Sequence, residues 1–366
     1  MLEIEVVNTY DGFLSLEGIW NNLLSKSDIN IPFMTFEWMS IWWKNYGKAS
    51  DLLILLIKND GAVIGIAPLM KTRINLRGLS VKAITFIVNA HSNRAGFILI
   101  AEKKQAVHRI IDFLLKSDLV FDIILFDMVE MNSETDRNVA EVLEEIKSKH
   151  VRLPSNISPY IQIRGIYDQY LNAVSKNLKA KLNHIIRMMK ETPDYRIIRY
   201  SNTDIEKAMS EVLEVSRETW QYDEGTAIAS TAESTSFYSS LADVFGKKGC
   251  LELWVFKIKE QPIAFQFNLD FGNKIYCLKT GYKKEYSKLN AGKIIRRVSI
   301  ENCFDGKKEE YDMLGDISSD KMRWTSLTRQ HDKYYIYKST VFGRALYFIE
   351  SKVMPLARSL HTKGKM

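Results

Sequence analysis

The stretch between Cys250 and Trp324 places the tightest constraint on how this chain folds. Its first two segments, CLELWVFKIK and QPIAFQFNLDF, are rich in β-branched and aromatic residues and meet at a polar break, so they predict a hairpin. IYCLKTGY predicts a third strand, the loop KEYSKLNAG then opens the helix GKIIRRVSIENCF, and EEYDMLGD predicts one more strand. A loop that leads from a strand into a helix directs free backbone N–H groups and the positive end of the helix dipole at one point, which suits a phosphate group.

Several short motifs lie at the ends of these predicted elements. They are Ile263-Ala264, Tyr282, Asn290-Ala291-Gly292, Asp312 and Lys321-x-x-Trp324. Together with the order of the elements, these motifs resemble one branch of the GNAT acyltransferases, which hold the pyrophosphate of coenzyme A at such a loop. The chain is similar to the family named for cellulose-biosynthesis acetyltransferases (CelD/BcsL), relatives of the Fem aminoacyl-transferases.

Three positions depart from the usual pattern of that family. Ser-Pro-Gly is usual where Asn290-Ala291-Gly292 stands, so a proline that would fix the path of the loop is missing here. Asp320 stands before the lysine in place of an aromatic residue, and Gly315-Asp316 lies one residue earlier than usual.

The first half of the chain contains a hairpin that matches the later one. LLILLIKNDGAVIGIAPLM, with a turn at Asp60-Gly61, aligns without a gap on LELWVFKIKEQPIAFQFNL at an offset of 199 residues, so that Leu52 falls on Leu251. Both hairpins follow helical segments and precede further strands. The chain is therefore predicted to be a tandem repeat of one fold.

The repeat and the resemblance together predict an α/β (α+β) fold with two tandem GNAT-like domains, each a mixed, mostly antiparallel sheet flanked by helices. We predict an N-terminal domain over residues 1–158 and a C-terminal domain over 159–366, joined at RLPSNISPY. Only the second copy has a Gly-rich turn from strand to helix, so we expect it to hold the acyl donor, acetyl-CoA or another acyl-CoA. The residues expected to contact coenzyme A are Lys279, Gly281, Tyr282, Asn290, Ala291, Gly292 and Lys293.

Polar clusters elsewhere are candidates for substrate recognition. The loop NAHSNRAG brings His91 and Arg94 together, and Arg217 lies three residues before Trp220 in a pair that recurs in the family. Such side chains bind hydroxyl, carboxylate or phosphate groups, and Trp324 is a further candidate contact. The alternative interpretation is an ordinary polar turn in the first case and a core tryptophan in the second. The basic face of the helix predicted before Pro193 is likewise either solvated or a binding surface for an anionic substrate.

GNAT chemistry requires backbone donors for an oxyanion, a base for the incoming amine and an acid for the leaving thiolate. The backbone donors are expected in Lys279–Tyr282. Asp316 and His91 are candidate bases, Tyr286 is the candidate acid, and Lys321 is a candidate to stabilise charge. We expect the acceptor in a groove between the two copies, contacted by His91, Arg94, Arg217, Asp316 and Lys321.

Charge and cysteine content limit the possible partners. The formal net charge of +7 favours an anionic partner, and coenzyme A, a nucleotide-sugar, tRNA and an acidic membrane face all qualify. The three cysteines have no close spacing, which argues against a disulfide framework and against a zinc site. The longest apolar run, LLILLI, is far shorter than the ~20 residues that cross a bilayer, and the first residues do not form a signal-peptide pattern. We therefore expect a cytoplasmic protein without a transmembrane segment.

These observations predict an acyl-CoA-dependent N-acyltransferase, an acetyltransferase by resemblance. Its acceptor is expected to be the amino group of a small anionic molecule, such as an amino sugar or a nucleotide-sugar used for a surface polysaccharide. DNA is not expected as a partner. Two alternatives remain. The first is a Fem-like transferase that uses aminoacyl-tRNA; the absence of an inserted long, charged helical arm argues against it. The second is a non-catalytic binding protein on the same fold. No Ser-His-Asp order, metal-ligand cluster or Walker loop supports another enzyme class.

Overall fold

The computed structural model describes residues 2–191 and 194–354, which fall into two compact units. Unit 1 consists of the described residues up to Asn156 and from Gln330 onward, and unit 2 consists of Ile157–Arg329. In chain order the strands are β1 (Glu3–Val7), β2 (Asp51–Asn59), β3 (Ala62–Leu76), β4 (Leu79–Phe86), β5 (Ile98–Leu99), β6 (Ile123–Glu130), β7 (His150–Gln162), β8 (Tyr195–Tyr200), β9 (Leu251–Ile258), β10 (Gln261–Phe271), β11 (Lys274–Tyr282), β12 (Glu310–Asp312) and β13 (Thr328–Tyr337). The α-helices are α1 (Tyr10–Leu14), α2 (Glu17–Lys26), α3 (Phe36–Tyr46), α4 (Lys103–Lys116), α5 (Glu134–Glu145), α6 (Tyr167–Ala173), α7 (Lys176–Glu191), α8 (Ile205–Arg217), α9 (Trp220–Asp223), α10 (Ala232–Lys247), α11 (Ala291–Asp305) and α12 (Val341–Phe348).

Six strands of unit 1 pair in the order β1-β2-β3-β4-β6-β13, and the short β5 pairs with β3. All neighbouring pairs are antiparallel except β4 and β6, which are parallel and are connected in sequence through α4. Alternate residues of β2, Leu53, Leu55 and Ile57, share one apolar core with Ile110 and Leu114 of α4, because alternate strand residues lie on one face of a sheet. The helix thus covers the face on which this core forms.

Unit 2 repeats this arrangement. Its strands pair in the order β8-β9-β10-β11-β12-β7, and only β11 and β12 are parallel, with α11 between them in sequence. The core on one side of this sheet combines Phe256 and Ile263 from the hairpin with Ile294 and Ile295 of α11. The prediction of two tandem GNAT-like domains, each a mixed and mostly antiparallel sheet flanked by helices, is confirmed.

The two hairpins are equivalent residue by residue. Ile57 pairs with Gly65 in the first hairpin, and Phe256 pairs with Ala264 in the second, each 199 positions later. In both hairpins the residue that precedes Gly65 or Ala264 is skipped by the pairing, so even the irregularity is shared. The gapless alignment predicted from the sequence is therefore also a structural alignment.

The last strand of each sheet comes from the other half of the sequence. β7 follows α5 of unit 1 along the chain, yet its residues 160–162 pair with β12 of unit 2. β13 follows unit 2 along the chain, yet its residues 331–337 pair with β6 of unit 1. Each unit therefore completes its six-stranded sheet with a strand that the other half of the chain supplies.

This exchange changes the division of the chain from the one predicted. We predicted a single boundary after residue 158 and a second domain that continues to residue 366. The structure divides the chain after Asn156, inside β7, and places the described residues from Gln330 onward in unit 1. The segment RLPSNISPY, predicted as the joint, lies within β7 and does contain this division.

Several predicted elements differ in length from the observed ones. The helix predicted before Pro193 consists of α6 and α7, because Ser175 Oγ accepts a hydrogen bond from Leu178 N at 3.2 Å and caps a new helix; its predicted end at Pro193 lies outside the described residues. The sequence EKAMSEVLEVSRETWQYDEG predicts one helix, which the structure divides into α8 and α9. The tail from Phe342 to His361 is predicted to be a helix. The structure has α12 followed by a π-helical turn, Ile349–Val353, and the part of the prediction beyond residue 354 lies outside the described residues.

Candidate functional site

Unit 2 contains a cavity of about 590 Å³ between β11 and the segment that follows β12. The rest of its lining comes from the end of α8 with Thr219, from α9 with the residues after it, from Phe265 of β10, from Ser287, and from the first turns of α11 with Asn290 before them. The residues that the following paragraphs use are Trp220, Gln221, Thr226, Cys277, Lys279, Thr280, Gly281, Tyr282, Asn290, Gly292, Lys293, Arg296, Asp316, Asp320 and Lys321.

The cavity lies where β11 extends past its parallel partner. The pairing of β11 with β12 ends at Tyr276 opposite Asp312, while β11 continues to Tyr282. After Asp312 the chain leaves the extended conformation, because Leu314 and Gly315 have left-handed φ angles of 49° and 55°. The last six residues of β11 are therefore not paired to β12.

A β-bulge lies in β11 at the same level. Phe267 of β10 pairs with Lys279, and the next residue, Asn268, pairs with Cys277, so Leu278 is an extra residue in the strand. A bulge increases the local twist of a strand, and bulges are common next to active sites because they redirect backbone and side chains. The bulge and the end of the β12 pairing together separate this part of β11 from β12.

Backbone groups beyond the bulge alternate in direction along β11. Lys283 N donates to Ile263 O of β10 at 2.9 Å, so the backbone groups of Gly281 also point toward β10. The N–H groups of Thr280 and Tyr282 therefore point away from β10, toward the unpaired side. The carbonyl of Thr280 supports this direction, because it accepts a hydrogen bond from Gln221 Nε2 at 3.1 Å. Both amides lie in the segment predicted to stabilise an oxyanion.

The first turn of α11 presents further backbone donors to the cavity. Asn290, in the left-handed conformation with φ 53°, precedes the helix, and its carbonyl accepts from Lys293 N at 2.8 Å and from Ile294 N at 3.2 Å. The amides of Ala291 and Gly292 belong to the helix start, where N–H groups have no intrahelical acceptor. A Cβ on Gly292 would lie 3.2 Å from Cδ1 of Tyr282, so the glycine keeps this corner narrow and its backbone accessible.

A carboxylate lies among the cations at this helix start. Asp320 Oδ2 accepts from Arg296 Nη1 at 2.6 Å, and Asp320 Oδ1 lies 3.3 Å from Lys293 Nζ. Although partial burial raises the pKa of Asp320, the two cations outweigh that effect and hold its pKa below the usual value. Asp320 is therefore the counter-ion of both basic side chains.

Two lysines with lowered pKa values line the cavity. Lys321 Nζ donates to Leu314 O at 2.6 Å and to Asp316 O at 3.0 Å, and burial lowers the pKa of this ammonium. Lys279 Nζ donates to Thr226 O at 3.1 Å, and burial likewise lowers the pKa of Lys279. An ammonium with a lowered pKa releases its proton more readily than an ordinary lysine does, which suits proton transfer.

The structure brings together most of the site residues predicted in unit 2. The predicted residues that line the cavity are Trp220, Lys279, Gly281, Tyr282, Asn290, Gly292, Lys293, Asp316 and Lys321. Asp316 Oδ1 accepts from Ile157 N at 3.2 Å and from Ile317 N at 3.0 Å, so its carboxylate is held by backbone amides.

Four predicted residues of unit 2 do not line this cavity. Ala291 belongs to the apolar core beside α11, and Trp324 is buried in a second apolar cluster. The hydroxyl of Tyr286 contacts Gln261 Oε1 at 3.3 Å, at the far end of β10 from the bulge. Arg217 is exposed at the end of α8.

The two predicted residues of unit 1 make different contacts within that unit. The ring of His91 stacks on Tyr46, with centroids 5.4 Å apart and an angle of 19° between the planes. Arg94 is buried, donates from Nε to His331 Nε2 at 3.1 Å and lies 3.8 Å from Glu130 Oε2. Arg94 also lines a smaller cavity of unit 1, of about 330 Å³. Contact of both residues with the acceptor stays a prediction.

Sequence reasoning did not identify Arg296, Asp320, Cys277 or Gln221 as residues of the cavity. Arg296 could have been found, because it lies one helical turn after Gly292 and so faces the same side of α11. Asp320 was noted only as a departure from the family pattern. In the described residues, no group of three or more His, Cys, Asp or Glu side chains is arranged to hold a metal ion.

Comparison with known proteins identifies the fold of unit 2. Residues 174–324 match the family model described as an acetyltransferase (GNAT) domain. The chain is similar to the crystal structure of FemX, with a TM-score of 0.61 and 13% identity over 95% of this chain and 99% of that one. A conserved protein of unknown function from Bacteroides thetaiotaomicron (TM-score 0.57, 12% identity, 92% and 100% covered) and L-PGS from Bacillus licheniformis (0.53, 10%, 90% and 95%) are also similar. No curated protein matches the sequence significantly. At such identities the structures show a shared fold, and the membership in the CelD/BcsL family stays a prediction.

Proposed function

Because residues 174–324 form a GNAT-type acetyltransferase domain, we propose that unit 2 transfers an acyl group from an acyl-CoA to the amino group of a small molecule. One observation carries the proposal. The opening beside β11 connects the outward-facing amides of Thr280 and Tyr282 with the uncapped start of α11. The first feature suits a carbonyl that becomes an oxyanion, and the second suits a phosphate group.

The residues present fit the anionic part of coenzyme A. The amides of Ala291 and Gly292 are available at the start of a 15-residue helix, and Gly292 leaves room for close approach of a phosphate. Lys293 and Arg296 add two positive charges at the same end of the cavity. Asp320 neutralises part of this charge through its ion pairs with Lys293 and Arg296. A bound phosphate must therefore share these two cations with Asp320 or replace Asp320 as their partner.

The chain's own groups account for the proton transfers of acyl transfer. The amine forms the new C–N bond and loses a proton, and Asp316, which lines the cavity, is the candidate to accept it. The C–S bond breaks, and the leaving thiolate needs a proton. Tyr286 was predicted to supply it, but its hydroxyl does not line the cavity, whereas Lys321 does and carries a more acidic ammonium. We therefore assign this proton to Lys321.

The charge around the cavity supports an anionic acceptor. Four basic side chains, Lys279, Lys293, Arg296 and Lys321, line it together with two acidic ones, Asp316 and Asp320. An amino sugar phosphate or a nucleotide-linked amino sugar combines an amine with such negative charge, and surface-polysaccharide biosynthesis uses acceptors of that class. A cytoplasmic location is part of the same proposal, because acyl-CoA and nucleotide-sugars are both intracellular metabolites.

The similarity to FemX favours a second candidate, aminoacyl transfer from tRNA. The absence of a long helical arm was our argument against it. That argument does not discriminate, because this chain covers 99% of the FemX structure, so that protein has no large additional arm either. A tRNA-borne donor also carries phosphates, and the same helix start would be available to it.

Calorimetric titration of the full chain separates the two donors. We expect coenzyme A and acetyl-CoA to bind in the micromolar range, about −8 kcal/mol, and aminoacyl-tRNA to produce no saturable heat. Release of free thiol from acetyl-CoA on addition of amino sugars and nucleotide amino sugars then identifies the acceptor. If coenzyme A fails to bind while aminoacyl-tRNA binds, the donor assignment is wrong; if neither binds, the enzyme assignment itself is rejected.

A further inference from the structure

The C-terminal helix α12 and the π-helical turn after it have two apolar sides. The inner side is fixed on unit 1: Leu346 is buried in a cluster with Leu76 and Val81, and the carboxylate of Glu350 is buried against Arg77. Arg77 Nη2 donates to Glu350 Oε2 at 3.0 Å, so the segment has a defined orientation on its unit. The outer side is therefore a fixed surface of unit 1.

That outer side is apolar and exposed. Val341 is 88% exposed and Phe348 is 60% exposed, and large apolar side chains repeat between and beyond them at helical spacing. Leu79, at the turn between β3 and β4, is exposed as well and lies two residues from Arg77. The members of this apolar stripe on the C-terminal segment are Val341, Phe342, Phe348, Ile349 and Val353. A stripe of this size on a helix that is already anchored by its other side indicates a binding surface.

Most charged residues of the described C-terminal segment are positive. Residues 338–354 include three basic residues, Lys338, Arg344 and Lys352, and one acid. The single acid is Glu350, which is buried against Arg77 and so adds no exposed negative charge. The segment 71–82, which contains the β3–β4 turn, adds Arg73 and Lys82, whereas its other two basic residues are ion-paired, Lys71 with Asp51 and Arg77 with Glu350.

We infer that this surface docks onto an anionic lipid membrane. An apolar stripe with basic neighbours is the pattern of a helix that lies in the plane of the membrane interface, where the apolar side chains enter the lipid and the cations face the head groups. No helix in the described part of the chain is long and apolar enough to cross a membrane, so the contact is with one surface. A second copy of the chain is a poorer partner for the stripe, because pairing it with itself would bring the basic neighbours together.

Binding of the stripe to an anionic membrane can be tested with lipid vesicles and the full chain. We expect the protein to co-sediment with vesicles of phosphatidylcholine and phosphatidylglycerol, and to bind vesicles of phosphatidylcholine alone at least about tenfold more weakly. Phe342→Ser/Phe348→Ser removes two exposed rings and should lower the partition onto anionic vesicles by at least about tenfold. Arg344→Glu/Lys352→Glu should lower it as well, and the binding of the parent chain should decrease between about 0.1 and 1 M salt, as the Debye length falls from ~10 to 3 Å.

Matched controls lie elsewhere on the chain. Val120 is 70% exposed in unit 1, and the side chain of Lys247 is 74% exposed in unit 2, so Val120→Ser and Lys247→Glu change comparable surface groups away from the stripe. Both controls should bind as the parent chain does, and circular dichroism should be the same for all variants. Equal binding to both kinds of vesicle, or undiminished binding of the double-serine variant, would overturn the inference. So would a concentration-dependent dimer that the double-serine variant loses, since the stripe would then belong to a second copy.

Discussion

Replacing Gly292 with valine tests the donor site most directly. Gly292 is the second residue of α11, and an ideal Cβ there would lie 3.2 Å from Cδ1 and 3.7 Å from Cε1 of Tyr282, with no other atom within 4 Å. Valine is a slightly better helix former than glycine, by a few tenths of a kcal/mol, which offsets the tight contact with the flexible tyrosine ring. The free energy of unfolding should therefore change by less than about 1 kcal/mol.

The expected loss in coenzyme A affinity is larger than that change. The two γ-methyl groups of valine would cover the amides at the helix start, and a hydrogen bond to a charged group contributes about 1.5–3 kcal/mol. Loss of a single such bond weakens binding at least tenfold, or about 1.4 kcal/mol. Gly292→Ala, which adds only the Cβ, should give a smaller loss. Calorimetric titration with coenzyme A measures both effects.

Gly18 provides a matched control for this experiment. It is the second residue of α2 in unit 1, and a Cβ added to it would meet nothing within 4 Å. Gly18→Val should leave both the coenzyme A affinity and the thermal unfolding transition nearly unchanged. If Gly292→Val keeps the parental affinity and unfolds at the parental temperature, the donor site is not at this loop, and the reasoning from the helix start is wrong.

Further predictions concern other residues. Lys321→Ala should lower turnover while leaving coenzyme A affinity nearly unchanged, because Lys321 is assigned the proton of the leaving thiolate; full turnover would reject that assignment. The predicted contact of His91 with the acceptor is tested by His91→Ala, which should also lower turnover at nearly unchanged coenzyme A affinity; full turnover would reject the contact. Burial lowers the pKa of Lys321, so its ammonium loses the proton at a pH below the ordinary lysine pKa of about 10.4. Turnover should therefore fall as the pH rises through this lowered pKa. Lys321→Arg should move the fall in turnover to higher pH in the rate profile. Glu211→Ala leaves the buried ammonium of Lys257 without its ion-pair partner and should destabilise the chain by about 3 kcal/mol in urea unfolding, whereas Glu211→Ala/Lys257→Met should recover most of that loss.

Local elements were predictable because their determinants lie close together in sequence. The run IPFMTFEWMSIWWKNYG predicts a helix that starts near Thr35 and stops at Gly47, with its aromatic residues in the core. The observed helix is α3, whose first turn is capped by Thr35 Oγ1 accepting from Trp38 N at 3.2 Å. The core prediction is confirmed for Trp38, which is fully buried. Apolar runs and a polar turn between them were enough to predict both hairpins and their gapless match.

The exchange of the last strands was not predictable from the same kind of pattern. DKYYIYK contains the continuous run YYIY between charged residues, which predicts a buried strand but not the strand with which it pairs. Tyr334 and Ile336 are buried in one apolar cluster, Tyr335 and Tyr337 are buried in another, and the same run would have fitted an edge of unit 2. Strand partners are set by contacts distant in sequence, and a single sequence does not display them.

The candidate site was predictable where it depends on backbone and not where it depends on ion pairs. The segment Lys279–Tyr282 and Gly292 were expected from the order of strand, loop and helix, and both line the cavity. Asp320 and Lys293 form an ion pair although they are 27 residues apart, so neither sequence neighbourhood indicates the other. Arg296 was not identified, because the sequence of α11 indicated a helix but no partner for this arginine.

The exchanged strands determine the order in which the two halves can be completed on the ribosome. Unit 2 is one continuous segment, Ile157–Arg329, whereas the sheet of unit 1 lacks its last strand until β13 has been synthesised. The half that is translated first is therefore finished last, and the edge of β6 stays open during the synthesis of unit 2, as a potential template for wrong pairing. A gene cut after codon 158 would leave the first product without β13 and the second with only the end of β7.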